Sequence, residues 1–445
     1  MKCKIYIKNN YSNKIKSFGK SFLNLNFAEN DEIIDYRSLK KEKYNLLLKK
    51  FQLFDGVFNP NHGAISPACS LCMKGKAIGF FISERCNASC KFCCYGFKKG
   101  EQKKFITKYP TEISELLKFV NCFKLKGIGF TGGEPLLEFE KVLTFIKRLK
   151  KEFPNIYLWL YTNGILLSEG KLSSLKKAGL DEIRIDLAAN NYDVQKIKLA
   201  KKFIKRVAVE MPLIPKDYHK LKKASLILQK FNLDHLNIIQ LEVTSYNASY
   251  MIEKKYKIMP SERRHPYVID SDSLVLDYML FYLKNNFSFS LNYCSKPYRD
   301  RVGIWEFINY LEPFESITSL GYVRVCKSII KKGLDLEQTP LKENLYKKYN
   351  NILFFNPKIL LEIIKISDKI EICYYNYKII KKDASKSFSP DNILLKKELV
   401  SRFYEFTTPQ ILDWYSKYIS LNDKSFRLSR DPFYPFERGA NDILF

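Results

Sequence analysis

From residue 77 the chain repeats one theme six times: a short, β-rich apolar run that ends in polar residues, followed by a stretch with helical spacing. The runs are "AIGFFIS", "IGFTGGEP", "IYLWLYTNG", "EIRIDLA", "RVAVEMPLI" and "HLNIIQLEV". Between them lie "TEISELLKFVNCFKLKG", "LLEFEKVLTFIKRLKKEF", "SEGKLSSLKKAG", "YDVQKIKLAKKFIK" and "DYHKLKKASLILQKF", whose apolar residues recur at three- and four-residue intervals. Strands that alternate with helices in this way pair in parallel through right-handed crossovers. The chain is therefore expected to be an α/β protein built on a partial (β/α)6 parallel barrel, since six units suit an open barrel better than a closed eightfold one.

The boundaries follow from where the rhythm starts and stops. Residues 1–75 read as an N-terminal extension carrying a C-x2-C pair, 76–296 as the barrel, and 297–445 as a mixed α/β C-terminal extension. Past residue 250 "SDSLVLDYMLFYLKNN" reads as a helix, "FSFSLNYCS" as a strand and "YRDRVGIWEFINYL" as a helix. The end of the chain is rich in Pro and aromatics. No internal repeat or long flexible linker is evident.

In parallel barrels, chemistry collects where the strands end. The strand ends here carry a cysteine-rich loop, Gly132-Gly133-Glu134, Thr162-Asn163-Gly164, Asp186, Glu210 and Glu242. The loop, "SERCNASCKFCC", holds Cys86, Cys90 and Cys93 as C-x3-C-x2-C, with Cys94 beside them. Thiolates are soft ligands for iron–sulfur clusters or zinc. Most fully coordinated clusters take four protein ligands, so three on a short loop can leave one iron open to a small molecule. Cys94 is not required by that scheme, and reads as a small bystander thiol.

Composition bears on the compartment. No apolar run reaches membrane-spanning length, and "MKCKIYIKNNYSNK" lacks the apolar core of a signal peptide. A cytoplasmic protein without membrane attachment is expected. There, eleven closely spaced cysteines point to metal or catalysis rather than disulfides. A net charge of +28 admits an anionic partner such as RNA. The lysines, however, are spread over helix surfaces without an Arg-rich stripe, in a chain also rich in Asn, Ile, Tyr and Phe, as biased base composition would produce.

The C-x3-C-x2-C loop after the first strand, Phe92 before the third cysteine, and "GGEP" after the second strand together resemble the radical S-adenosylmethionine superfamily. The resemblance implies a [4Fe–4S] cluster on Cys86, Cys90 and Cys93, with S-adenosylmethionine on its open iron. Reductive cleavage would give a 5′-deoxyadenosyl radical that abstracts hydrogen from a substrate C–H bond. Gly132, Gly133 and Glu134 would meet the methionyl ammonium, Asn163 and Asp186 methionyl and ribose groups, and Phe92 the adenine. An external electron donor such as flavodoxin or ferredoxin is implied.

A narrower resemblance rests on "PACSLCMKGKAIGFFISERC", "VEMPLIP", "LNIIQLEVTSYN", "NYCSKPYRDRV" and "ITSLGYVRV". These are similar to a prokaryotic family described as related to pyruvate formate-lyase activating enzymes, although "LNIIQLE" replaces a more polar stretch. Glu242 still matches; the role of Gln240 is open. The resemblance points to a peptide or protein substrate, with RNA modification as the alternative on the same chemistry. A nonenzymatic iron–sulfur electron carrier is a third reading, against which GGEP and the polar strand ends argue. Glu210 and Glu242, at the fifth and sixth strand ends, are the candidate catalytic residues. Cys69 and Cys72, joined by Cys294 or Cys326, are candidates for a second iron–sulfur cluster or zinc site, with buried thiols as the alternative. The four histidines lack ligand spacing.

Overall fold

A computed structural model of the chain describes residues 22, 24–47, 50–53, 60–95, 112–259, 265–296, 298–299, 311–317, 323–331, 341, 344–381 and 393–407. The chain forms two compact units, Met1–Gln52 with Asn59–Lys296, and Leu53–Phe58 with Pro297–Phe445. The expected start of the chain, most of the helix after residue 297 and the aromatic tail lie outside the described residues.

In the first unit, helices Asn30–Leu47 (α1) and Pro67–Met73 (α2) precede the parallel strands. These are Ala77–Ser83 (β1), Gly127–Gly132 (β2), Tyr157–Thr162 (β3), Glu182–Ile185 (β4), Arg206–Pro212 (β5) and His235–Ile239 (β6). Helices Ile113–Cys122 (α3), Phe139–Glu152 (α4), Glu169–Ala178 (α5), Gln195–Lys201 (α6) and Tyr218–Lys230 (α7) connect them in turn. Each strand pairs in parallel with the next, as the alternation predicts. The sheet is an α/β partial barrel, and it runs one strand further than six. After Ala248–Glu253 (α8) and Ile269–Lys284 (α9), Ser290–Cys294 (β7) pairs in parallel with β6, and Pro60–His62 pairs antiparallel with β7. The seventh strand is the run read as "FSFSLNYCS", brought back into parallel register after α9.

Local sequence explains the elements. Along α4, Val142, Leu143, Phe145, Ile146 and Leu149 are buried at helical spacing while its lysines face outward. Ser168 caps α5 by accepting from the Lys171 N–H. Each barrel strand alternates, so that Ile128, Phe130, Leu158, Leu160, Ile183 and Ile185 meet the helices and are fully buried. The opposite face of the same strands looks into the barrel. It carries Tyr157, Trp159 and Tyr161 on β3, Glu182 and Arg184 on β4, Glu210 on β5, His235 and Asn237 on β6, and Ser290, Asn292 and Cys294 on β7. An interior this polar must satisfy its own hydrogen bonds.

The second unit is an antiparallel sheet. Strands Val323–Ile330, Ser367–Lys381 and Ile393–Thr407 are its longest members, joined by Ile352–Phe355 and Tyr346–Tyr349, with the short helix Leu360–Ile366 packed on it. Its core joins Leu353, Phe355, Ile363, Ile370 and Ile372. No helix among the described residues is long and apolar enough to cross a membrane.

Candidate active site

The cysteine loop leaves β1 at Ser83 and is met at once by the end of β2. Gly132 adopts φ +134°, and a Cβ there would stand 2.0 Å from the Ser83 carbonyl oxygen; a Cβ on Gly133 would stand 2.1 Å from that of Arg85. Only two residues without side chains allow this approach. The Gly133 N–H donates to the Ser83 carbonyl (2.8 Å) and the Glu134 N–H to the Arg85 carbonyl (2.7 Å), which fixes the entry of the loop just before Cys86.

Glu134 is fully buried, and its carboxylate turns inward. It accepts from Thr162 Oγ1 (2.8 Å), the Asn163 N–H (2.8 Å) and the Leu136 N–H (3.0 Å). Burial pushes its pKa up while those three bonds pull it down. The side chain thus welds the ends of β2 and β3, and what the Gly-Gly-Glu turn presents outward is main chain. Asn163 is brought against the cysteine loop: its Nδ2 donates to Asn87 Oδ1 (2.7 Å) and lies 4.0 Å from Cys86 Sγ.

Cys86, Cys90 and Cys93 share the loop; Cys86 feels the charge of Cys93, and Cys90 that of both Cys86 and Cys93. The Ala88 N–H donates to Cys86 Sγ (3.4 Å), and the Cys93 N–H to the Cys90 carbonyl (3.0 Å). Burial raises the Cys86 pKa, and burial followed by the Asp186 charge lifts Cys90 to about 12. A cationic metal deprotonates the thiols that ligate it. Asp186 follows β4 and accepts from the Ala188 (2.9 Å) and Ala189 (3.2 Å) N–H groups. Burial lifts its carboxyl to about 7 despite them. Among the described residues no group of three or more His, Cys, Asp and Glu side chains forms a site for a metal ion. Ligands to a four-iron cube bind separate corners, so they need not share the focus that one zinc ion demands.

Two residues that the sequence reading did not single out close the far side of the loop. Buried Asn247 donates from Nδ2 to the Phe92 carbonyl (2.9 Å), and Thr244 Oγ1 donates to the Cys94 carbonyl (2.8 Å). The signal available was the motif "VTSYN", in which Asn and Thr follow a strand and lie three residues apart. Phe92 itself packs on the apolar cluster of Leu241, Val243, Met251 and Ile258.

The two glutamates diverge. Glu242 lies three residues beyond β6, bridges to Tyr267, and approaches the buried ammonium of Lys296 at 3.9 Å. Gln240 is buried and accepts the Lys296 N–H (2.7 Å). Glu210 precedes the end of β5 by two residues, and the β4–β5 register sets it one step past the Ile185–Val209 pair, beside Asp186. There it is ion-paired with Arg184. That guanidinium is almost wholly buried and also donates to Glu182 Oε1 (2.7 Å), Ser66 Oγ (3.0 Å) and Cys69 Sγ (3.3 Å), beside the rings of Trp159 and Tyr161.

Four further cysteines are the candidates for a second metal site. Cys69, on α2, lies 3.4 Å from His235 Nε2 at the start of β6, and burial raises its thiol to about 11. Cys294 lies at the opposite end of the barrel: Ser290 pairs with His235, and Cys294 is four residues further along, about 13 Å. Cys69 and Cys294 therefore do not share a metal, contrary to one pairing the sequence allowed. Cys72 is one helical turn from Cys69 on α2, and Cys326 belongs to the second unit, buried in its core with Leu353 and Phe355.

Residues 80–211 match the radical SAM superfamily. This stretch of the chain is a radical SAM domain. A Methanocaldococcus jannaschii protein, named as a candidate glycyl-radical enzyme activating enzyme, is 29% identical over 329 residues, 68% of this chain and 85% of that protein. A GTP 3',8-cyclase from Aquifex aeolicus is 31% identical over 167 residues, so that the match spans 36% of this chain and 50% of the cyclase. Among solved structures, Streptococcus suis SuiB bound to S-adenosylmethionine is similar with a TM-score of 0.38 and 12% identity, over 56% of this chain and 59% of SuiB. The family implies a [4Fe–4S] cluster and S-adenosylmethionine. The donor set of three loop thiols, with the close-packed Gly-Gly turn beside it, fits them.

Proposed function

We propose that this radical SAM enzyme abstracts hydrogen from a C–H bond of a peptide or protein. When bound, a [4Fe–4S] cluster and S-adenosylmethionine supply reductive C–S cleavage and a 5′-deoxyadenosyl radical. Cys86, Cys90 and Cys93 hold the cluster. Main-chain carbonyls of the Gly132-Gly133-Glu134 turn receive the methionyl ammonium, with Glu134 holding that turn rigid from within. Asn163 and Asp186 orient the remaining polar groups, and Phe92 and its apolar cluster border the adenine side. The observation that carries this reading is the docking of the three-cysteine loop on the Gly-Gly turn through Ser83 and Arg85.

Glu242 faces the substrate from the mouth and receives or positions a polar group there, while Glu210 supports Arg184. The polypeptide substrate is supported by the name of the M. jannaschii relative, which spans more of both chains than the cyclase does. An external one-electron donor such as flavodoxin or ferredoxin and a cytoplasmic setting complete the proposal.

The test is label transfer. Reconstituted, reduced enzyme is offered deuterated polypeptide and deuterated RNA fractions separately, and deuterium in 5′-deoxyadenosine is measured by mass spectrometry. Label should come from polypeptide, and Glu242→Gln should lower the transfer at least about tenfold while leaving iron content unchanged. Label from RNA with none from polypeptide would reverse the substrate assignment.

A further inference from the structure

The cysteine loop is secured on two sides, and only one of them belongs to the Gly-Gly turn. On the other, Asn247 has no solvent exposure and uses its whole carboxamide. Nδ2 donates both to the Phe92 carbonyl (2.9 Å) and to the Glu242 carbonyl (2.8 Å), while Oδ1 accepts the Thr244 N–H (2.8 Å). Thr244, itself buried, donates from Oγ1 to the Cys94 carbonyl (2.8 Å). The carbonyls held are those of residues 92 and 94, which flank Cys93.

We propose that Asn247 is a positioning residue: its amide couples the peptide preceding Cys93 to the main chain of Glu242, with Thr244 securing the carbonyl of Cys94 on the other side of that ligand. This rests on the assignment of Cys93 as a cluster ligand and adds to it a physical tie between the ligand loop and the substrate-facing residue. The chemistry restricts the position to asparagine. Two donors must meet two carbonyl oxygens while one acceptor meets an N–H. An aspartate would set a carboxylate oxygen against both carbonyls, and an alanine would strand two buried acceptors. Glu242 therefore keeps its distance from the loop through a covalently short, fully hydrogen-bonded link. A change at Asn247 should be felt first at Cys93 and only then in turnover.

The experiment compares anaerobically reconstituted full-length wild type, Asn247→Asp and Thr244→Val, with Ser168→Ala as a remote control. Iron and sulfide per chain, the electron paramagnetic resonance signal of the reduced protein, and the rate of iron release to a chelator are measured without substrate. Asn247→Asp should release iron on the order of tenfold faster or more and show an altered signal, because charged repulsion replaces two hydrogen bonds. Thr244→Val should shift both in the same direction by less, and the control should match wild type. A soluble, folded Asn247→Asp with wild-type release and signal overturns the proposal. Should that variant fail to fold, Thr244→Val decides: unchanged release and signal overturn it. A wild type that binds no cluster would instead refute the radical SAM assignment of the loop, so the two failures are distinguishable.

Discussion

Replacing Arg184 with Met should be the most costly single change inside the barrel. The guanidinium is 3% exposed and donates to Glu182, Glu210, Ser66 and Cys69. Methionine fills much of the volume and pairs with none of them. Glu182, which has no exposure, would keep hydrogen bonds from Ser66 Oγ (2.5 Å) and Tyr157 OH (2.9 Å) but lose its counter-charge, and Glu210 would lose its partner. Breaking a buried ion pair by removing one member typically costs about 3–5 kcal/mol. That is a large share of the roughly 5–15 kcal/mol by which a protein is stable. With a urea m-value of about 3 kcal/mol/M, the midpoint should fall by about 1–2 M. Urea unfolding can be followed by circular dichroism and by tryptophan fluorescence, since Trp159 lies beside Arg184. The triple change Arg184→Met, Glu182→Gln, Glu210→Gln should recover most of the loss, because it removes the charges the guanidinium was there to balance. An Arg184→Met protein with a wild-type midpoint, or a triple variant worse than the single one, would refute this account of the interior.

Three further outcomes follow from the site. Cys86→Ala, Cys90→Ala and Cys93→Ala should each abolish reconstituted cluster and 5′-deoxyadenosine formation, whereas Cys94→Ala should retain both; iron analysis and product assay check this. Cys69, sealed beside Arg184 with its thiol near 11, should resist alkylation at pH 8 in the folded protein, and Cys69→Ala with Cys72→Ala should leave the iron count at about four per chain, as elemental analysis would show. His235 is buried next to Arg184, and burial followed by that positive charge holds its pKa well below the usual value. The unfolded chain gains a proton below about pH 6.5 while the folded one does not, so stability should fall as pH drops from 7 to 5, by at most about 1.4 kcal/mol per unit. His235→Gln should flatten that slope in urea titrations at each pH.

The order of the strands, their parallel pairing and the loop that carries the three thiols were legible because each depends on local pattern. A period-two apolar run, a helical repeat and a Gly-Gly break are read within a dozen residues, and right-handed crossovers leave few ways to assemble them. Gly132 and Gly133 were legible for the same reason, although the partner they approach, the main chain at Ser83 and Arg85, was not. Strand β7 was read as a strand but not as the seventh of the barrel, because pairing is a property of two segments that here lie about fifty residues apart.

Charged residues inside the barrel were the least legible. The sequence alone set Glu210 at the end of an apolar run and gave it the same standing as Glu242. Only the assembled sheet shows that Glu210 points at Arg184 from the neighbouring strand, whereas Glu242 lies beyond the last paired residue of β6. Asn247 and Thr244 were passed over because neither is a reactive residue type, and what distinguishes them is the carbonyls of Phe92 and Cys94, some 150 residues earlier in the chain. Sequence determined which side chains could ligate iron and on which loop, since that chemistry belongs to the thiols themselves. Tertiary structure decided which polar groups remain for a substrate and which are consumed within the protein, since a buried charge must find its partner wherever the fold brings one.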